Sequence, residues 1–167
     1  MFKENDYVVY KRNVCRVKEI KTNHYQGKDY YILSPIDDDT LIIDIPKENK
    51  LGFLRPIMSR DDAIKLIEKI KDIDIIETNE KIIEMEYKKL MKSNKMEDLI
   101  KIIKTSYIRN DNRLKNGKKI AEKDDIYFKI AENILYNELS ISLNLSFDET
   151  KKYVIDKVKE LLGDERE

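Results

Sequence analysis

The sequence predicts an α+β protein, a small and strongly bent antiparallel β-barrel or half-barrel followed by an all-α bundle of about five helices. Two observations carry this. Residues 7–56 hold short runs rich in Val, Ile and Tyr, separated by turn residues; such side chains fit a pleated, half-buried surface. From Ser59 onward the apolar residues recur at helical spacing, and no Gly or Pro interrupts them until Gly117. The change of period falls at residues 56–59 and divides the chain into residues 1–57 and 58–167.

In the first part, the runs Tyr7 to Tyr10 and Val14 to Ile20 flank Lys11-Arg12-Asn13, where Asn tolerates the left-handed backbone of a tight turn. Lys21 to Gly27 is polar and ends in Gly, as a hairpin connection does. Asp29 to Leu33 forms the next strand, its successive side chains pointing to opposite faces. Residues 34–40 are a turn rich in breakers. Its adjacent Asp37, Asp38 and Asp39 lack the alternate ligand spacing and closing Glu of a calcium loop, so a solvated turn is expected. Leu41 to Ile45 is an apolar run interrupted by Asp44 and halted by Pro46, and Leu51 to Arg55 makes a last short strand.

In the second part, Ser59 is an N-cap with Asp61 and Asp62 in the first turn. Ala63, Leu66, Ile67 and Ile70 then form the buried stripe of a helix ending near Ile73. A second helix is predicted from Thr78 or Asn79 to Lys92, with Ile83, Tyr87, Leu90 and Met91 inward. On its other side Lys81, Lys88 and Lys92 fall within about 40° of one another. Ser93-Asn94 breaks it. The third spans Met96 to Asn110 with Leu99, Ile102, Ile103, Tyr107 and Ile108 inward, and residues 110–117 form a loop. The fourth spans Ala121 to Leu143 and carries Ile126, Tyr127, Ile130, Ala131, Ile134, Leu135 and Leu139. The last starts at Ser146, whose capping box is completed by Glu149. It packs through Val154, Val158, Leu161 and Leu162 and stops at Gly163.

Charge is abundant but balanced: 33 basic and 33 acidic residues make up 40% of the 167. The zero total conceals a polar distribution. Residues 78–119 carry twelve basic against six acidic groups, and residues 120–167 carry seven against twelve. A single Cys15 excludes an intramolecular disulfide and fits a reducing compartment. No apolar run reaches the roughly 20 residues that cross a bilayer, and the opening residues have no signal-peptide core. A cytoplasmic protein is expected.

Catalysis finds little support. His24 is the sole histidine and Cys15 the sole thiol, so neither has a second His or Cys to complete a structural metal site. There is no phosphate-cradling Gly-rich loop among only four Gly. The carboxylates lie mostly on helix faces that must be solvated. No catalytic residue, metal or cofactor is expected.

The series NDYVVY (5–10), NVCRV (13–17), DYYIL (29–33), IDIPKEN (43–49) and LGFLRP (51–56) resembles the CarD family of bacterial transcription regulators. The resemblance implies a Tudor/SH3-like N-terminal barrel that binds RNA polymerase, a domain shared with the transcription-repair coupling factor. Relatives usually place Gly where this chain has Asn5 and Asn13, the next-best residues for positive φ. The family's second domain is a helical bundle that contacts promoter DNA. Residues 87–92, 104–109 and 131–139 resemble its second, third and fourth helices.

The family's polymerase-facing surface corresponds to Lys21–Asn23 and Leu41–Ile45, which singles out Lys21, Asn23, Ile42, Ile43 and Asp44. Asp44 stands where some relatives have Arg. In the family an exposed Trp at the start of the second helix wedges into the minor groove at the edge of the transcription bubble; its position falls at or near Asn79. Lys81 matches a basic residue that follows it, and Glu84 falls where relatives are often basic. With Lys88, Lys92 and Arg109 these residues make the expected DNA-contacting set.

Together the resemblance implies a monomeric, non-enzymatic regulator. It would dock on the polymerase β subunit, touch promoter DNA weakly and without strong sequence preference, and need no membrane. The alternative is a protein–protein adaptor, barrel plus bundle, with no DNA contact.

Overall fold

The computed structural model describes residues 1–93 and 95–166, in two compact units, Met1–Met58 and Ser59–Glu167. The first unit is one antiparallel sheet of β1 (Tyr7–Tyr10), β2 (Asn13–Tyr25), β3 (Lys28–Pro35), β4 (Ile43–Pro46) and β5 (Leu54–Pro56). The strand order is β4-β3-β2-β1-β5. No ladder joins β4 to β5 among the described residues, so both are edges and the arrangement is the open, half-barrel form of the expectation. Val8, Cys15, Val17, Tyr31, Leu33, Ile45 and Leu54 form its core.

Three local features differ from the sequence-based expectation. Tyr10 pairs directly with Asn13, so the chain reverses over Lys11 and Arg12. Those two take positive φ (48° and 72°), and Asn13 does not; Asn5 does, at 73°. β2 continues through the predicted connection to Tyr25, with register shifts after Val17 and Lys21 that let one long strand bend between its neighbours. β4 begins at Ile43, not Leu41. The Asp38 carboxylate accepts from the backbone N–H and hydroxyl of Thr40, and the Asp38 carbonyl accepts from Leu41 N–H. The turn therefore uses the donor that a longer ladder would need.

The second unit comprises α1 (Arg60–Lys69) with a short 3-10 turn (Ile70–Asp72), α2 (Ile83–Met91), α3 (Met96–Lys115), α4 (Glu122–Leu143) and α5 (Phe147–Arg166). Ser59 caps α1 by accepting from Asp62 N–H at 3.1 Å. Ser146 and Glu149 exchange the reciprocal bonds of a capping box, each 3.1 Å long. Ile83, Tyr87, Leu99, Ile102 and Ala131 form a core.

α2 starts at Ile83, four residues later than Asn79, because the Asn79 side chain accepts from Lys81 N–H at 2.9 Å. This local side-chain bond offers the backbone an alternative to helix. α3 runs through the predicted loop to Lys115. An Asp111–Lys115 ion pair of 2.9 Å supports its last turns. It ends in a Schellman motif: Gly117 has φ 71°, Lys118 N–H donates to Arg113 O at 2.8 Å, and Gly117 N–H donates to Leu114 O.

The buried face of α3 is also rotated from expectation. Tyr107 and Ile108 are exposed, while Thr105 and Ser106 are buried. Both small polar residues have backbone partners: Thr105 Oγ1 accepts from Ile76 N–H, and Ser106 Oγ donates to Ile102 O. Beside them Lys104 donates to the carbonyls of Ile70 and Ile73, closing the end of the 3-10 turn. On α4, Ile126 and Ile130 likewise face outward. α5 passes Gly163, since a Gly inside a helix costs only about 1 kcal/mol. The predicted break at Asn94 and the packing of Leu161 and Leu162 lie outside the described residues.

Candidate functional site

In the sheet unit, the residues implied in polymerase docking gather around the β4 edge. The ladder sets Lys21 opposite Tyr30 on one side of β3, and Pro46 opposite Tyr30 on the other. His24 then closes the arrangement. Its Nε2 lies 3.0 Å from the Asp44 carboxylate, and its ring packs edge-on against Tyr30 at 5.3 Å. The Lys21–Asn23 end of β2 and the Ile43–Asp44 start of β4 are thereby linked across β3. Asn23 has a left-handed φ of 49° and donates its N–H to the Asp29 carboxylate at 2.9 Å, which fixes the bend of β2 there.

Ile43 is half-buried against the core while Ile42 and Leu41 are exposed just before the strand. An edge strand with one paired side has main-chain groups available to an added strand, and exposed apolar residues beside it can fill a partner's pockets. Sequence reasoning missed His24, because a pairing between residues 24 and 44 requires the register of β3 between them. A shallow groove of about 340 Å³ opens on the same unit, lined in part by Tyr10 and Phe53, whose rings Lys11 Nζ sits over.

In the helical unit the five residues implied in DNA contact do not form one surface type. Asn79 and Lys81 are exposed in the turn ahead of α2, so the shared helical angle holds only for Lys88 and Lys92. Those two are exposed as well, and Lys88 also pairs with Glu84 at 3.7 Å. The signal missed in the sequence is Met85. It is 66% exposed and stands at i, i+3, i+4 and i+7 spacing with Lys88, Lys89 and Lys92. An apolar side chain thus lies on the basic face of α2, and Ile82 is exposed in the turn just ahead.

Arg109 is placed differently. Its side chain is 19% exposed and its Nε donates to the fully buried Asp124 at 3.1 Å. Asp124 also accepts the Tyr87 hydroxyl at 2.7 Å. A guanidinium fixed on a buried carboxylate serves first to satisfy it. Arg109 therefore joins α3 to α4 and, through Tyr87, to α2.

Among the described residues, no group of three or more His, Cys, Asp or Glu could hold a metal ion. Among the described residues, no helix is long and apolar enough to cross a membrane. Residues 2–58 match the family model of the CarD-like/TRCF RID domain. No curated protein matches the chain. The five-stranded unit of this chain is accordingly a CarD-like/TRCF RID domain, the module named for its interaction with RNA polymerase.

Proposed function

We propose that the protein is a non-enzymatic transcription regulator. Its RID unit docks on the β subunit of RNA polymerase. Its helical unit contacts promoter DNA at the upstream edge of the bubble and changes the lifetime of the open complex. The observation that carries the reading is the RID match over residues 2–58, in a unit whose β4 strand is a sheet edge. Lys21, Asn23, Ile42, Ile43 and Asp44 are its proposed docking residues, and strand addition at that edge makes few demands on the partner's sequence.

The DNA half rests on α2 and the turn before it. Asn79, Lys81, Lys88 and Lys92 supply polar and basic contacts, and Met85 with Ile82 supplies apolar surface that Asn79 lacks. A few lysines release only a few counterions, so the unit's own affinity is low. Docking on polymerase compensates by raising the effective concentration. The protein acts as a cytoplasmic monomer without a cofactor.

The test is co-purification with polymerase, followed by promoter-opening kinetics with and without the protein. Binding together with a changed open-complex lifetime supports the proposal. Binding with unchanged kinetics identifies an adaptor instead, and failure to bind overturns the proposal.

A further inference from the structure

The turn ahead of α2 is fastened to α3 and α4 by charge. The Glu80 carboxylate accepts from the guanidinium groups of Arg113 and, at 3.5 Å, Arg109. Lys123 Nζ donates to the Glu80 carbonyl oxygen at 2.8 Å. Arg109 is already neutralised by the buried Asp124. Arg113, Lys118 and Lys123 are thus set against one acidic side chain, Glu80. Beside it is an open pocket of about 240 Å³, lined also by Asn112 and Asn116.

Several features of this pocket suit an anion. Three cations line it, Arg109, Arg113 and Lys118, against the carboxylates of Asp124 and Glu80, and Lys123 adds a fourth positive charge beside it at the Glu80 carbonyl. At the end of α3 the carbonyls of Arg113 and Leu114 are already occupied by Lys118 and Gly117 N–H groups. Arg113 presents a planar fork that matches phosphate oxygens. Glu80 is 62% exposed, so its carboxylate can swing into water at little desolvation cost while the two arginines stay in place.

We propose that Glu80 is a resident stand-in for an anion, and that Arg113, Lys118 and Lys123 form a phosphate site which Glu80 vacates. The source is a DNA backbone phosphate, because the site adjoins Asn79 and Lys81 in the chain. A free phosphate has the same chemistry and is separated by the test. The proposal rests on the DNA-contact reading for the source of the phosphate only.

Inorganic pyrophosphate is titrated into the full-length protein by calorimetry, and a fluorescent duplex by anisotropy, for the unmodified chain and four variants. Glu80→Gln removes the competing charge and should tighten both ligands at least about threefold, whereas Arg113→Gln and Lys118→Gln should weaken both. Each lost phosphate contact also lowers the log–log salt slope for the duplex by about 0.9. Glu68→Gln removes the same charge from α1 and should tighten neither.

Tightening by Glu80→Gln for pyrophosphate but not for duplex leaves the site standing with a free phosphate as ligand and overturns the DNA backbone as its source. An unchanged or weakened pyrophosphate affinity in a folded Glu80→Gln protein overturns the site and leaves Glu80 as a clamp. Equal tightening by Glu68→Gln overturns it too. If Glu80→Gln does not fold, the exposed Lys118 decides: unchanged binding in Lys118→Gln sinks the proposal.

Discussion

Tyr87 donates its hydroxyl to the carboxylate of Asp124 at 2.7 Å, joining α2 to α4 through a bond between fully buried side chains. Arg109 reaches the same carboxylate from α3, so three helices meet on one buried charge. Burial, and then the hydrogen bond to Asp124, push the Tyr87 phenol far above its ordinary value. It stays protonated and serves as a permanent donor.

Removing the donor and removing the acceptor should therefore differ in cost. Tyr87→Phe leaves Asp124 with Arg109 and is expected to lower stability by about 1–3 kcal/mol. Asp124→Ala strands both the phenol and a mostly buried guanidinium, and should cost about 3–5 kcal/mol. Urea unfolding of the two variants measures this. Equal losses would mean that Asp124 is not the hub of the three helices.

Alkaline pH should loosen the sheet unit first. Burial, with a smaller contribution from Asp37, pushes the Cys15 thiol up to about 11 from 9.0. In the unfolded chain the thiol ionises near 9, while the folded chain keeps its proton. Stability is thus full below pH 9 and falls as pH rises toward 11, by roughly 2–3 kcal/mol in all. Tyr136, pushed up to about 12 by burial, adds the same sign of effect in the helical unit at higher pH. Denaturant unfolding in reductant from pH 8 to 11 should show the decline, and Cys15→Ala should flatten its first part. A decline identical in the two proteins would assign it to other groups.

The docking edge can be broken by one residue. Ile43→Pro fixes φ and adds a ring at the first residue of β4, where Ile43 pairs with Leu33. Polymerase binding should weaken at least about tenfold, with the helical circular dichroism signal retained, since the damage is confined to one sheet edge. Normal binding by a folded Ile43→Pro protein would place the docking surface elsewhere.

At the turn ahead of α2, Asn79→Trp should lengthen the open-complex lifetime severalfold. Unstacking a base step costs a few kcal/mol, and an indole ring can restore part of that stacking. Asn79→Ala controls for the lost bond to Lys81 N–H and should change the lifetime little. Lys81→Glu should shorten it, whereas Lys152→Glu, on the exposed side of α5, should not. Equal behaviour of the two charge reversals, with no effect of Asn79→Trp on a polymerase-bound protein, would turn this segment away from DNA.

Features encoded by near neighbours in the chain could be read without coordinates. Ser59 and Ser146 are caps because a hydroxyl three residues before an N–H can reach it, and the shift of apolar period near residue 58 separates sheet from helices. The apolar stripes of α1 and of α2 follow from helical geometry alone. At Asn79 two local preferences compete, helical spacing and an Asn side chain that captures Lys81 N–H, and the structure holds a turn there. Helical propensities differ by only tenths of a kcal/mol, too little to decide between them.

Other features depend on which distant segments meet. His24 finds Asp44 only because β3 sits between β2 and β4. Arg109 looked like a surface cation until Asp124, fifteen positions on, was buried beside it. Thr105 is buried while Tyr107 and Ile108 face outward, and its hydroxyl meets Ile76 N–H, which belongs to a segment 29 positions earlier. Local chemistry settled where helices and strands begin, since that is decided within a few residues. Burial settled which charges stay at the surface, because a charge deep in the protein needs a partner that only the assembled chain can bring to it.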